Sequence, residues 1–254
     1  MPEGSAAGLR DVPLGLLENA RDLGGYATAD GRRVRWGRLF RAASLHEADE
    51  DTAADWHALG LRTVVDLRRD DERSRRGTVS IDLHPAGDRH LPVMREIFLP
   101  AYDVDSQPDE YLAACYIEIL GSGQDAIREL FALLSEEKHL PLALFCAAGK
   151  DRTGTMVALV LAALGVDEET ICDDYALSGE RVSAMVQRKR ASGDVDRDPM
   201  VDQHPTILHA PRGAMRLFLE HLRTHTPGVE GYLAGIGVST IALEAVRAAL
   251  LEPR

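Results

Sequence analysis

The strongest constraint on how this chain can fold lies between Leu140 and Leu164. Leu140-Pro141-Leu142-Ala143-Leu144-Phe145 is a short apolar run that reads as a buried strand. Thr155-Met156-Val157-Ala158-Leu159-Val160-Leu161-Ala162-Ala163-Leu164 is a longer one that reads as a buried helix. Cys146-Ala147-Ala148-Gly149-Lys150-Asp151-Arg152-Thr153-Gly154 joins them. The chain must therefore pass from strand to helix through a tight loop. Such a loop faces backbone N–H groups and the positive end of a helix dipole.

That frame gives the loop residues their chemistry. A thiol at a helix N-terminus beside Lys150 and Arg152 is expected to ionise in the range of roughly 3.5–7.5 rather than near 8.5. Cys146 is then a nucleophile without a dedicated base. The amides of Ala147, Ala148, Gly149, Lys150, Asp151 and Arg152 form a nest for phosphate oxygens. Arg152 can clamp two of those oxygens, and Thr153 is placed to hydrogen-bond the Cys146 sulfur as it leaves a phosphocysteine. No metal or cofactor is called for. The other two cysteines act as controls: six residues beyond Cys115 stands Gly121, and six beyond Cys172 stands Ser178. Only Cys146 has the arginine, the glycine, the Thr-Gly pair and the strand–helix frame together.

The loop resembles the Cys-x5-Arg-[Ser/Thr] signature of cysteine-dependent protein tyrosine phosphatases. Its fuller Ala-Gly-Lys-Asp-Arg-Thr-Gly form is similar to a bacterial subgroup of atypical tyrosine and dual-specificity phosphatases. That subgroup includes secreted mycobacterial and listerial enzymes acting on phosphotyrosine and phosphoinositides. Three more stretches carry the likeness: Asn19-Ala20-Arg21-Asp22-Leu23-Gly24-Gly25-Tyr26, Gly37-Arg38-Leu39-Phe40-Arg41-Ala42-Ala43, and Val64-Val65-Asp66-Leu67-Arg68 with Glu72. Gly231-Tyr232-Leu233 ahead of a helix also fits. The resemblance implies a tyrosine-phosphatase-like α/β fold, with a mostly parallel sheet flanked by helices and a helical lid and C-terminal extension. It implies a single phosphatase domain over residues 1–254, with candidate lid elements at 95–120 and 178–225.

Two departures from the family pattern matter. Phe145 stands where the family usually has a histidine bracing the loop. The stretch His90-Leu91-Pro92-Val93-Met94-Arg95-Glu96 lacks the aspartate that often follows a Leu-Pro in the subgroup. Something must protonate the leaving oxygen. Asp151, inside the loop as in the resembling enzymes, is the first candidate; the opposing reading makes it an ionised brace between Lys150 and Arg152. Asp103, Asp105 and Glu96 rank behind it. Arg21, Asp22, Arg41, Asp66 and Arg68 are candidates for the substrate pocket, although structural ion pairs explain Arg21, Asp22 and Arg41 equally well, and Asp66 is better suited to orienting Arg68 or a loop amide. The cluster Arg68, Arg69, Arg73, Arg75 and Arg76 could meet a second phosphate, but reads more simply as a solvated helix face offset by Asp70, Asp71 and Glu72.

Strands separated by helices argue for a central, largely parallel sheet. Strands are expected at Arg38–Arg41, Thr63–Leu67, Val79–Leu83, His90–Val93 and Leu142–Phe145, with an arm and early strand over 1–20. Helices are expected at Glu47–Leu59 behind a Ser44 cap, through Arg76, and over 108–120, 124–136, 167–176, 178–191, 209–224 and 238–251. A turn at Pro85-Ala86-Gly87-Asp88, a loop at Gly193–Pro199 and a Gln203-His204-Pro205 segment near the pocket complete the reading. His204, His209, His221 and His225 show no convincing metal spacing, and Cys115 and Cys172 read as buried small apolar residues.

A net charge of −12 argues against nucleic acid and anionic membranes as partners, so the phosphate site must be a local basic pocket. Lys138, Lys150 and Lys189 are the only lysines, which singles out Lys150. Three cysteines make no disulfide framework. No signal-peptide pattern and no apolar run of about 18–20 residues is visible, and the expected location is cytoplasmic. The expected partner is a phosphorylated substrate. Three readings stay open: a phosphatase on phosphoproteins or phosphoinositides, a phosphatase on a nucleotide or sugar phosphate, and a non-catalytic phosphate-binding pseudophosphatase.

Overall fold

The computed structural model describes residues 12, 19–43, 45–47, 50–79, 87–193 and 204–253. The Ser44 cap, the arm and early strand before Asn19, the strand expected over Ser80–Leu83, the Pro85-Ala86 turn, the loop at Asp194–Pro199 and Gln203 lie outside those residues.

Among the described residues, five strands form one sheet in the order β1-β2-β5-β3-β4: β1 (Arg21–Asp22), β2 (Leu39–Ala43), β3 (Thr63–Asp66), β4 (Gly87–His90) and β5 (Leu142–Cys146). Only the β1–β2 pair is antiparallel. β5 sits in the middle, paired to β2 on one side and β3 on the other, and all five of its residues are buried. This is why its sequence is apolar throughout rather than alternating.

Alternation along β5 still decides what each side chain meets, because successive residues point to opposite faces. Leu142, Leu144 and Cys146 face the larger core. Helices pack there: α3 (Pro108–Ser122), α4 (Gln124–Leu134), α5 (Asp151–Ala163), α6 (Glu168–Ser192), α7 (Arg212–His225), α8 (Gly228–Gly235) and α9 (Thr240–Leu250). Ala143 and Phe145 face a smaller core with Phe40, Ala42, Leu45, Leu61 and Val64, beside α1 (Glu50–Leu59). A short helix, α2 (Asp70–Arg76), follows β3.

The expected break between 176 and 178 does not exist. α6 is continuous for 25 residues, capped by Asp167, whose side chain accepts from the Thr170 amide. Gly179, inside that helix, gives room for the returning chain: a Cβ there would lie 3.1 Å from the backbone nitrogen of Ala210. The strand expected at His90–Val93 ends at His90. The first helix is divided into a 3-10 turn at Leu45–Glu47 and α1. α8 adds about two turns of helix before α9, where the sequence reading had only one helix from 238. Among the described residues, no helix is long and apolar enough to cross a membrane.

Candidate active site

Cys146 is the last residue of the central strand β5, and α5 begins five residues later at Asp151. The intervening loop wraps beneath one end of a cleft of about 480 Å³. Cys146, Ala147, Ala148, Lys150, Asp151 and Arg152 line its floor. Its lining is otherwise largely apolar: Met94, Ile97, Phe98 and Leu99, then Tyr111, Leu112, Cys115 and Ile119 of α3, and Val182, Ile207 and Leu208. Arg69, Arg75 and Arg76 of α2 stand at the cleft as well.

The turn is built from unusual backbone. Gly149 has φ 62°, and a Cβ there would lie 2.4 Å from the carbonyl oxygen of Ala42. Only glycine fits both the conformation and the contact. The loop carbonyls, which point away from the cleft, are held from below. Asn19 donates from Nδ2 to the carbonyls of Ala148 (3.1 Å) and Gly149 (3.0 Å). Asn19 itself sits at φ 55°, a left-handed conformation that asparagine tolerates better than most residues. Arg41 donates to Gly149 O at 2.7 Å and more distantly to Lys150 O. With those carbonyls tied down, the N–H of the same trans peptide units, on Gly149 and Lys150, points the opposite way.

Arg152 is oriented by Glu72, which accepts from Nη1 at 2.5 Å and from Nη2 at 2.9 Å. Glu72 is in turn fixed at the start of α2, where it accepts from the Arg69 amide. Burial raises the pKa of Glu72, but its bonds to Arg152 prevail and bring it down to about 2. Burial likewise works against the charge of Arg152, yet the neighbouring Cys146 and Glu72 hold the guanidinium more firmly protonated than usual.

Lys150 is buried, with Nζ 2.7 Å from Asp151 Oδ1 and 2.9 Å from the carbonyl of His209. Asp151 Oδ1 also accepts from the Tyr116 hydroxyl at 2.7 Å. Thr153 is fully buried, but its hydroxyl has no hydrogen-bond partner among the described residues, so the bond to the Cys146 sulfur is not formed.

The residues expected to line the pocket do not reach it. Arg21 and Arg41 are fully buried beneath the loop, sharing the carboxylate of Asp174. Arg21 Nε lies 2.9 Å from Asp174 Oδ1, Arg41 Nη1 lies 2.6 Å from Oδ2, and the Tyr26 hydroxyl donates to Oδ1. Burial favours the neutral acid, but the two guanidiniums depress the Asp174 pKa far below the usual range. Burial and the like charge of Arg21 bring Arg41 down to about 10. Asp22 accepts from the amides of Gly24 and Gly37 and fixes the turn after β1. Asp66 and Arg68 form a buried fork, Nε–Oδ1 2.9 Å and Nη2–Oδ2 2.7 Å. Arg41 is registered with Leu144, two residues short of Cys146 along the sheet, so its side chain ends beneath the loop.

Phe145 lies on the far face of β5, where the Arg68 guanidinium carbon is 5.3 Å from its ring centroid and His46 stacks at 6.3 Å. A cation–π contact thus occupies the place behind the loop. Asp103 and Asp105 do not line the cleft: Asp103 caps the amides of Asp105 and Ser106, and Asp105 holds His204 at 2.8 Å and Thr206 at 2.7 Å. Glu96 does not line the cleft either. Cys172 is buried, whereas Cys115 is half-buried and faces the cleft, its thiol pushed up to about 12 by burial and by Asp151. Arg69 and Arg75 pair with Asp71, and Arg73 with Asp88. No group of three or more histidine, cysteine, aspartate or glutamate side chains among the described residues could hold a metal.

Sequence reasoning missed Asp174, Tyr116 and Tyr175. The available signal was a carboxylate on the apolar stripe of α6, between Ile171 and Ser178 in the helical repeat, where an unpaired charge would be untenable.

A family model described as the tyrosine phosphatase family matches residues 12–252. A Cupriavidus necator protein that carries the tyrosine-protein phosphatase name is 34% identical over 187 residues, 70% of this chain and 66% of its own length. The triple specificity protein phosphatase PtpB of Mycobacterium tuberculosis is 27% identical over 275 residues, 92% of this chain and 96% of its own. The crystal structure of P. aeruginosa TpbA aligns over 83% of this chain and 96% of that one at 16% identity, with a TM-score of 0.36.

Proposed function

Because the chain belongs to the tyrosine phosphatase family, we propose that it hydrolyses phosphomonoesters through a phosphocysteine formed on Cys146, without a metal. The observation that carries this reading is the meeting of Cys146 and a Glu72-oriented Arg152 at the floor of one cleft. Sγ attacks phosphorus, the S–P bond forms as the ester P–O bond breaks, and Asp151 gives its proton to the departing oxygen. Arg152 and the loop amides take the charge that gathers on the equatorial oxygens. Water then attacks the phosphocysteine, with Asp151 receiving its proton, and inorganic phosphate leaves.

The substrate reading is an aromatic phosphoester, phosphotyrosine first. The apolar walls suit an aryl ring above the phosphate loop, and the printed name of the M. tuberculosis relative points to more than one substrate class. The segments around Met94–Leu99 and Ile207–Leu208 serve as the lid of a single catalytic domain. Cys146→Ser abolishes turnover of an aryl phosphate while leaving phosphate binding largely intact. Turnover retained in that variant sinks the mechanism.

A further inference from the structure

Three polar side chains around Asp151 have their protons arranged in one direction. Lys150 can only donate, and its ammonium reaches Asp151 Oδ1, the His209 carbonyl and the Tyr175 hydroxyl. The Tyr175 hydroxyl, already accepting from Lys150, has its single proton for Tyr116, whose hydroxyl is in hydrogen-bond contact. The Tyr116 proton then goes to Asp151 Oδ1 at 2.7 Å. Two donors therefore converge on Oδ1, while Oδ2 accepts no hydrogen bond from the described residues. Asp151 is about a third exposed and lines the cleft, whereas Lys150, Tyr116 and Tyr175 are all buried.

We infer that Tyr116 is a positioning residue for the acid step: with Lys150 it holds Oδ1 as an acceptor, so that Oδ2 alone carries the proton passed to the leaving oxygen. The inference rests on Asp151 being the acid, as proposed above. Burial, the Asp151 carboxylate and Tyr175 keep the Tyr116 phenol protonated well beyond its ordinary range, so it stays a donor throughout the working pH range. Burial raises Tyr175 to about 12, with the same consequence. Other groups facing Asp151 are Cys115 from α3 and Arg152 from its own helix. Neither makes a hydrogen bond to the Asp151 carboxylate.

The test is the pH dependence of kcat/KM for wild type, Tyr116→Phe, Tyr175→Phe and Asp151→Asn, measured on phosphotyrosine and on an aryl phosphate with a more acidic phenol. Tyr116→Phe keeps the ring that packs edge-on against Tyr175 and Phe218. A hydrogen bond given to a carboxylate favours its ionised form, so losing it moves the basic limb of the profile upward by about one pH unit. It also lowers kcat by about tenfold on phosphotyrosine, with much less loss on the better leaving group. Tyr175→Phe leaves the bond to Asp151 in place and moves the limb less far in the same direction. Asp151→Asn removes the limb.

An unmoved limb in Tyr116→Phe, alone or with a uniform loss of activity and a lower melting temperature, overturns the inference and leaves Asp151 as the acid. A larger shift in Tyr175→Phe than in Tyr116→Phe overturns it too. A basic limb that survives Asp151→Asn instead overturns the acid assignment, and the inference falls with it.

Discussion

Asp174→Asn removes the negative charge shared by Arg21 and Arg41 while keeping the shape of the side chain. Both guanidiniums are fully buried and the carboxylate is 1% exposed, so water cannot compensate. Taking one partner from a buried ion pair costs about 3–5 kcal/mol, because a desolvated charge is left behind. Here two cations are left, and the new amide NH2 faces guanidinium donors, so the upper half of that range applies. A domain stable by roughly 5–15 kcal/mol loses about a quarter or more of its stability. At about 2–4 °C per kcal/mol for a chain of this size, the melting temperature falls by about 8–20 °C. Thermal and urea unfolding measure this directly.

The sign of the pH dependence follows from the same carboxylate. The Asp174 pKa is depressed in the folded protein, since the two arginines outweigh the burial that would raise it. Its contribution is therefore complete above the ordinary aspartate value of about 3.9 and is lost as the pH falls below it. The gap between wild type and Asp174→Asn is full at neutral pH and narrows on acidification below about pH 4. Because Arg41 also anchors the Gly149 carbonyl, the folded variant binds inorganic phosphate about tenfold more weakly, or about 1.4 kcal/mol. A melting temperature within about 2 °C of wild type from pH 5 to 8 would refute the reasoning.

Two further substitutions test the site from other sides. Glu72→Gln loosens Arg152 without touching the loop, and lowers kcat/KM on an aryl phosphate by about 10–100-fold; unchanged kinetics would show that Arg152 does not need its brace. Phe145→His, which restores the residue usual in the family, puts a polar ring between Arg68 and His46 on the buried face, and destabilises the fold by about 1–3 kcal/mol in urea without a gain in turnover. A more stable or faster variant would contradict the account of that face.

The strand–loop–helix unit was legible because everything that specifies it is local: two apolar runs, one glycine and one cysteine-to-arginine spacing. The sheet followed from the same logic, with helical segments separating the strands. What stayed hidden was non-local. Arg41 carries a charge and sits near the loop in the fold, yet its register opposite Leu144 sends it under the loop rather than into the cleft. Its partner Asp174 lies 133 residues away, and that of Asn19 lies 129 and 130 residues away. The two helices expected at 167–176 and 178–191 are one, because the local sequence does not show that Gly179 admits the chain at Ala210 within an unbroken helix. Tyr116 and Tyr175 went unremarked in the sequence; their rings are buried in the core and only their hydroxyls meet Asp151 and Lys150.

The braces beneath the loop have a consequence for how the chain comes into being. Asn19, Arg21 and Arg41 are synthesised early, the cysteine and arginine in the middle, and Asp174, Ser178 and the His209 carbonyl late. A nascent chain that has emerged only as far as α5 already carries its nucleophile, but not the acid that neutralises the two arginines under it. The cradle can take shape only when both flanks have arrived.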